Sequence, residues 1–389
     1  MRAGLVALIL AYVLSQFYRA FLAVLAPALA ADIGADPKAL AQASGLWFLA
    51  FALMQIPVGA ALDRIGPRRT TAFLLAVGAA GAAVFASATS PFAISAAMLL
   101  IGAGCSSVLM ASYFIFARLY PPALFGTLAG MVIGIGSLGN LGASLPLGWA
   151  VELWGWRAAV WALAGVTLVA AGAVAALVRD PPLAANSARG SVLDLLRMPA
   201  LWPVLIMMAA CYGPAAGIRG LWAGPWYADV FGAGAARIGV VTLVMGLAMV
   251  AGNFAYGPLD RLLGTRKWLI FGGNALMLAC LAGLYVSAAS DSLATLCLLA
   301  GVGFFGASFP VVMAHGRAFL PAHLTGRGVS LINLFGIGGA GLMQIATGKL
   351  HTVVGAVPPE APYAALFAFY AVIVALGLAA YLFSLDRRD

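Results

Sequence analysis

"GAALDRIGPRR" occupies residues 59–69, and a second version, "GPLDRLLGTRK", occupies 257–267. Each sets an Asp-Arg pair, a glycine and two basic residues between apolar runs, at 42–62 and 70–88 in the first case and at 238–257 and 267–288 in the second. A polar loop that returns between returning apolar runs says that the chain is built twice, and that period decides the fold.

The copying extends well beyond the loop. "GTLAGMVIGIGSLGNLGASLPLG" (126–148) returns as "GRGVSLINLFGIGGAGLMQIATG" (326–348), with Gly126, Gly136, Gly139 and Gly148 each recurring 200 positions later. Arg118, ahead of the first copy, has its counterpart in Arg317.

Composition fixes the solvent. Of 389 residues, 64% are hydrophobic and 8% charged, with a mean hydropathy of +1.04. Soluble domains carry about 25% charged residues, so this chain belongs in a bilayer. Its apolar runs repeatedly reach the ~20 residues needed to cross ~30 Å of hydrocarbon. They fall at 4–30, 42–62, 70–88, 92–117, 125–148 and 157–178, then at 200–227, 238–257, 267–288, 292–316, 327–348 and 363–384. The first is too long for a signal-peptide core and reads as a span. The expected fold is all-α and integral to the membrane, with twelve transmembrane helices in two six-helix bundles. The bundles are expected at 1–180 and 200–389, joined by a cytoplasmic linker at 181–199 that holds the one sustained polar stretch.

Charge gives the orientation. Of the 21 basic residues, Arg19 and Arg219 lie mid-span. With the N-terminus inside, only Lys38, Arg157, Arg237 and Lys349 fall outside, which leaves fifteen inside. That bias puts both termini in the cytoplasm, and an odd number of spans would scramble it. A net charge of +9 is therefore no sign of nucleic acid. Cys105, Cys211, Cys280 and Cys297 all lie within spans, where small packed thiols are expected rather than disulfides.

At this point the residues resemble a known family. "GAALDRIGPRR" is similar to the signature loop between the second and third helices of the major facilitator superfamily, with Asp63, Arg64, Gly66, Arg68 and Arg69 at the matching positions and a second copy at Asp260, Arg261 and Gly264. The resemblance covers essentially the whole chain. It implies a two-bundle, monomeric secondary carrier working by alternating access in a bacterial inner membrane. It also implies that the loop's charge network serves conformational switching. In that fold helices 1 and 7 line a central cavity.

Arg19 and Arg219 sit on those two helices, one 200-residue repeat apart. A charged side chain at mid-membrane costs roughly 2.5–3.5 kcal/mol on insertion scales. Arg19 lies some 20 Å along its helix at ~1.5 Å per residue, which makes snorkelling to an interface hard. Both arginines are therefore expected to face the cavity and the substrate. No Asp or Glu lies within any predicted span, so an anion or a carbonyl-rich neutral solute fits them best. Tyr18, Trp222 and Trp226 share their spans and are candidate stacking rings, while Asn140, Asn333 and Gln344 are candidate polar contacts. His315 is expected at an interface.

Coupling is read from what is missing. Ion-driven carriers commonly hold an intramembrane carboxylate. The antiporter branch usually has a helix-4 arginine and a helix-5 Gly-Pro pair, where this chain has Met98 and "GSLGNLG" (136–142). Proton-driven drug export is disfavoured.

"RGLWAGPWYADVFG" (219–232) and "GNFAYGPLDRLLGTRKW" (252–268) further resemble a bacterial branch that includes riboflavin importers and copper importers serving cytochrome oxidase assembly. The resemblance implies uptake of a flavin-like solute (riboflavin), with copper as the alternative, while a small organic anion would satisfy the arginines alone. For copper, the soft pairs Met245/Met249, Met208/Cys211 and Met277/Cys280 would be the ligands, but methionine is also ordinary core filler and a compact cation would be repelled by the arginines. No metal site and no cofactor is favoured. An enzyme would show HExxH, GxSxG, a Walker loop or a buried carboxylate pair, and none is present. A non-transporting membrane sensor would carry a soluble signalling domain, and no loop is long enough for one.

Overall fold

The computed structural model describes residues 2–120, 122–181, 192–321, 325–355 and 357–387. Residues 182–191 of the expected linker lie outside that set. Among the described residues every regular element is helical. Ten helices are long and apolar enough to cross a membrane, and the pair Ala3–Tyr18 and Leu22–Ile33, bent by 51°, makes an eleventh crossing. One of the ten, Met131–Leu177, runs for 47 residues. At 1.5 Å per residue that is about 70 Å, more than twice a bilayer core. It turns at Gly155 (φ 78°, ψ 157°) and so holds two crossings. Counted so, twelve crossings lie among the described residues.

Span 1 comprises Arg2–Tyr18 and Leu22–Ile33, span 2 Pro37–Leu53 and Gln55–Arg64, span 3 Pro67–Ala86, and span 4 Pro91–Cys105 and Val108–Leu119. Span 5 is Pro122–Gly142 continued through 145–154, and span 6 is 156–177. Span 7 covers 199–231 in several pieces, span 8 is Ala235–Leu263, and span 9 is Arg266–Val286. Span 10 comprises Leu293–Gly306 and Phe309–Arg317, span 11 is Thr325–Val354, and span 12 is Ala361–Tyr381.

Local chemistry sets the starts of these helices. Asp36 accepts from Ala39 N–H at 2.7 Å, with Pro37 in the first turn, and Ser90 accepts from Ala93 N–H ahead of span 4. Thr265 and Ser292 cap spans 9 and 10 in the same way. Each cap satisfies one orphan N–H of a helix start.

The chain divides into two compact units, Met1–Ser187 with Gly234–Val240, and Ala188–Ala233 with Val241–Asp389. Within the first, Leu8, Tyr12, Val58, Leu75, Val108, Phe116 and Val174 form a continuous buried core. Phe92, Leu153, Val169 and Val286 stand exposed on outer surfaces, as side chains that face lipid would.

The repeating glycines are where helix backbones meet. A Cβ on Gly139 of span 5 would overlap Val13 O of span 1 and lie 3.0 Å from Phe17 N. Its repeat partner Gly339 of span 11 would place one 2.7 Å from Ala209 O of span 7. Without a dry-core hydrophobic force between spans, such close backbone approach is what holds membrane helices together. The 200-residue recurrence is thus a recurrence of one helix contact, span 5 on span 1 and span 11 on span 7.

Polar ties close both ends of each bundle. At one end of the first, Asp32 accepts from Trp156 Nε1 at 3.1 Å and pairs with Arg157, whose Nη2 also donates to Ala88 O. At the matching end of the second, Tyr363 donates to Asp229, Trp226 to Ala288 O and Tyr227 to Asp291.

Candidate functional site

Arg19 stands where span 1 breaks. The first helix ends at Tyr18, residues 19–21 form a turn in which Ala20 N–H returns to Phe17 O, and the helix restarts at Leu22. Its guanidinium carbon lies 5.3 Å from the Trp47 ring and 5.2 Å from the Phe51 ring. Those rings are one helical turn apart on span 2 and stack at 5.3 Å and 21°. A cation over desolvated aromatic faces gains up to about 2 kcal/mol, which offsets part of its burial cost.

Tyr18 has a different partner. Its hydroxyl bonds Thr167 of span 6 at 2.8 Å, and its ring meets Phe21 edge-on, so it ties spans 1 and 6. Asn140 is half-buried on span 5, its carbonyl accepting from Ser144 Oγ.

Arg219 lies on irregular backbone too. Span 7 winds as Gly213–Gly217, then as a π-helical turn over Ile218–Trp222, then as Ala223–Phe231. Ala223 N–H reaches back five residues to Ile218 O. Pro225 has no N–H to give the turn before it, which removes one α-helical alternative. Single π turns in helices mark functional sites more often than chance. Arg219 is 3% exposed.

Neighbouring positions of the same stretch of span 7 join polar and aromatic groups of spans 11 and 12. Trp222 donates to Thr347 Oγ1 at 3.0 Å and stacks on His351 at 5.4 Å and 22°. Tyr363 completes a triangle of rings, with centroids 5.1 Å from His351 and 6.4 Å from Trp222. Gln344 Nε2 reaches Gly217 O at 3.5 Å. The Tyr370 hydroxyl borders Gly217 and faces Thr347 and Trp222. Trp226 instead packs on Phe367 and donates to Ala288 O, a structural position. Asn333 is half-buried on span 11.

Trp47, Phe51, Thr347, His351, Tyr363 and Tyr370 were not among the candidates read from the sequence. A signal did exist for the first two, which share a face at i, i+4 on span 2. His351 lay three residues beyond the expected end of span 11, but the helix runs on to Val354. His315, expected at an interface, is buried at the end of span 10, where Tyr381 Oη contacts its Nδ1 at 2.6 Å and Leu385 O its Nε2 at 3.0 Å.

The loop charges also find partners. Asp63 pairs with Arg118 at 3.3 Å, and Arg68 Nε donates to Ala175 O at 2.6 Å. Arg68 N–H donates to Asp180 at 2.7 Å, and a Cβ on Gly66 would sit 2.7 Å from that carboxylate. In the second copy Asp260 pairs with Arg266 at 3.4 Å, next to Gly264, while Lys267 N–H donates to Asp386 at 3.0 Å. The carboxylate that follows each bundle's last span thus caps that bundle's third. Burial pushes the Asp386 carboxyl up, but the Thr265 hydroxyl and the Lys267 N–H outweigh it and hold the group below the usual carboxylate range. A carboxyl so depressed adds stability above its ordinary pKa and loses it as pH falls through the lowered one. Arg64 and Arg261 are exposed and make no ion pair with another described residue.

The soft pairs serve packing. Met245 and Met249 both lie 3.2 Å from where a Gly303 Cβ would stand, Met208 lines Gly336, Met277 lines Gly306, and Cys280 abuts Gly301. Cys211 Sγ turns to Met208 O at 3.6 Å. All four cysteines are free, and no cluster of three or more His, Cys, Asp or Glu occurs among the described residues.

A broken, polar-lined pair of helices at equivalent places in two six-span bundles is the layout of a secondary carrier. The sequence profile of the Major Facilitator Superfamily matches residues 8–342, and the chain belongs to that family. It is an integral membrane protein and a transporter rather than an enzyme. Similar solved structures include a bacterial homolog of the human lysosomal transporter Spinster in an inward-facing, occupied conformation, at 16% identity over 97% of this chain and 95% of that one, with a TM-score of 0.76. A D-xylose-proton symporter matches at 14% identity over 99% and 98%, with a TM-score of 0.78. A mutant of the nucleoside transporter NupG matches at 13% over 98% and 99%, with a TM-score of 0.75. At these identities the likeness is one of fold. No curated protein sequence matches the chain.

Proposed function

We propose that this transporter takes up a small solute that is anionic or rich in carbonyl acceptors, a flavin-like molecule such as riboflavin or a small organic anion, with Arg19 and Arg219 as its binding residues. The observation that carries the reading is Arg219, 3% exposed on a π turn of span 7. A buried guanidinium offers five donors in a fixed fork, which suits planar acceptor groups. The rings of Trp47 and Phe51 beside Arg19 favour a solute with a flat face. Copper gains no support, since its candidate ligands are packed against glycines. The same proposal sets both termini in the cytoplasm, an orientation that the charge bias supports, in a bacterial inner membrane, with the monomer as the working unit.

The test is a thermal-shift panel of riboflavin, succinate and Cu(I) on purified wild type and Arg219→Gln. Riboflavin or succinate should stabilise wild type and lose most of its effect on the variant. A probe that stabilises both proteins equally does not meet Arg219, and this reading of the arginine would fall.

In the same proposal the Asp63–Arg118 and Asp260–Arg266 pairs belong to conformational switching rather than solute binding. Asp63→Asn should slow transport while equilibrium affinity stays close to wild type. Normal turnover with a large loss of affinity would contradict that assignment.

A further inference from the structure

We propose that His351 is a proton-binding site, at the end of the second bundle away from its signature-loop copy, and that its charge is read by the π turn of span 7. What the proposal says of solute affinity rests on Arg219 as a binding residue. The proton site itself does not.

The described residues hold two imidazoles, and their surroundings differ. His315 meets a hydrogen-bonding atom at each ring nitrogen, Tyr381 Oη at 2.6 Å and Leu385 O at 3.0 Å. A main-chain carbonyl only accepts, so Nε2 carries the hydrogen and Nδ1 takes one from the tyrosine. A neutral ring is complete there, as in a structural histidine. His351 lies among ring faces instead. Trp222 stacks on it with centroids 5.4 Å and planes 22° apart, and Tyr363 meets it edge-on at 5.1 Å.

Those surroundings suit a cation. The face of an indole attracts positive charge. Trp222 Nε1 donates to Thr347 Oγ1 at 3.0 Å, and Thr347 and His351 are one turn apart on span 11, so this bond holds the indole along the face that bears the imidazole. Tyr363 donates to Asp229, whose exposed carboxylate puts negative charge one phenol away. His351 is only half-buried and lies within a turn of the helix end at Val354, so it takes its proton from water at that end of the bundle. The same stretches of spans 7, 11 and 12 also carry Glu360, which adds negative charge, Arg219 and Lys349, which oppose a further cation, and the phenols Tyr227 and Tyr370.

Transmission follows from the backbone. Trp222 is the last residue of the π turn Ile218–Trp222, which carries Arg219, and its contacts with Thr347 and His351 tie that turn to span 11. A proton on His351 converts one tie from two neutral rings into a cation on a π face. The turn is then held more firmly before solute arrives, and pre-organisation of that kind raises affinity. Solute binding should tighten as the pH at that end falls.

The experiment follows tryptophan emission of the full-length protein in detergent from about pH 8 to about pH 5.5, which brackets the ordinary imidazole pKa of about 6.5. Wild type is compared with His351→Gln and Trp222→Phe. An imidazolium in contact with an excited indole accepts an electron and quenches it, and neutral imidazole does so far less. Wild-type emission should fall with pH by an amount that both variants lack. His315 packs on Phe319 and Tyr381 and so does not supply the signal. Coincident titrations of wild type and a folded His351→Gln overturn the proton site. The second arm measures Kd for riboflavin and for succinate at the two pH limits. Relative to His351→Gln, wild type should gain about two- to fivefold in affinity at the lower pH. An equal pH dependence in the two proteins overturns the link to the solute site. If neither probe binds, the reading of Arg219 fails and the affinity claim with it, while the emission titration still decides the proton site.

Discussion

Arg219→Gln reconstituted in liposomes is expected to lose nearly all uptake. The guanidinium is buried in the second bundle, on a turn wound so that span 7 departs from a regular helix there. Glutamine can donate from one amide but has neither the charge nor the fork. Hydrogen bonds to charged groups are worth about 1.5–3 kcal/mol each, so losing one or two costs on the order of 10- to 10,000-fold in affinity. Lysine keeps the charge as a compact, strongly hydrated ammonium and loses the planar fork. Arg219→Lys should therefore retain some uptake where Arg219→Gln retains almost none. The measurement is the initial rate per reconstituted protein. Wild-type uptake by Arg219→Gln would mean that the charge is kept for some other purpose.

The second large effect falls on folding. Gly139→Val is expected to prevent recovery of a monodisperse protein in detergent. Its Cβ alone would overlap Val13 O, and a valine adds two methyl groups to a contact made by main chain, which cannot step aside as a side chain can. Overpacking a well-filled contact costs about 1–3 kcal/mol and sometimes more, and this site belongs at the upper end. Forcing spans 1 and 5 apart would also shift Phe17, which lies two residues before Arg19. Gly165→Val on span 6 is the control, because nothing lies within 4 Å of its Cβ position. Fluorescence-detected size-exclusion profiles of the two variants should differ sharply. Similar yields would show that the span 1–span 5 contact is looser than described.

Much of this architecture could be read in the sequence, for definable reasons. Twelve crossings follow from apolar length, which the bilayer imposes directly. The paired glycines and paired loops followed from the 200-residue repeat, and the structure shows what the repeat encodes, one close helix contact made twice. Span ends were read short because hydropathy falls at Lys349 and His351 although main-chain hydrogen bonding carries the helix on to Val354. That error hid His351 and its stack on Trp222.

Side-chain direction was the harder part. Tyr18 is next to Arg19 in sequence, but neighbours point about 100° apart on a helix, and Tyr18 turns to Thr167 instead. Trp226 is seven residues from Arg219, a spacing that puts both on one face of a regular α-helix. The π turn between them shifts that register, and Trp226 packs against Phe367. Nothing at residues 19–21 announces a break, for the turn "RAF" contains neither glycine nor proline. The carboxylates Asp180 and Asp386 were passed over because they lie beyond the spans, although each caps the third helix of its own bundle.

The claim that these arginines are kept for the solute is tested most directly by melting purified Arg219→Gln, first alone and then with saturating riboflavin or succinate, beside wild type. A purely structural role and a binding role differ in what the solute adds. The melting temperature of the free variant reports the contacts that Arg219 makes inside the protein, whereas the shift on adding solute reports binding. If the arginine serves binding, the stabilisation that the solute gives wild type should be largely missing from the variant. A free variant that melts well below wild type, yet is stabilised by solute as much as wild type is, would contradict the account and make Arg219 a structural residue.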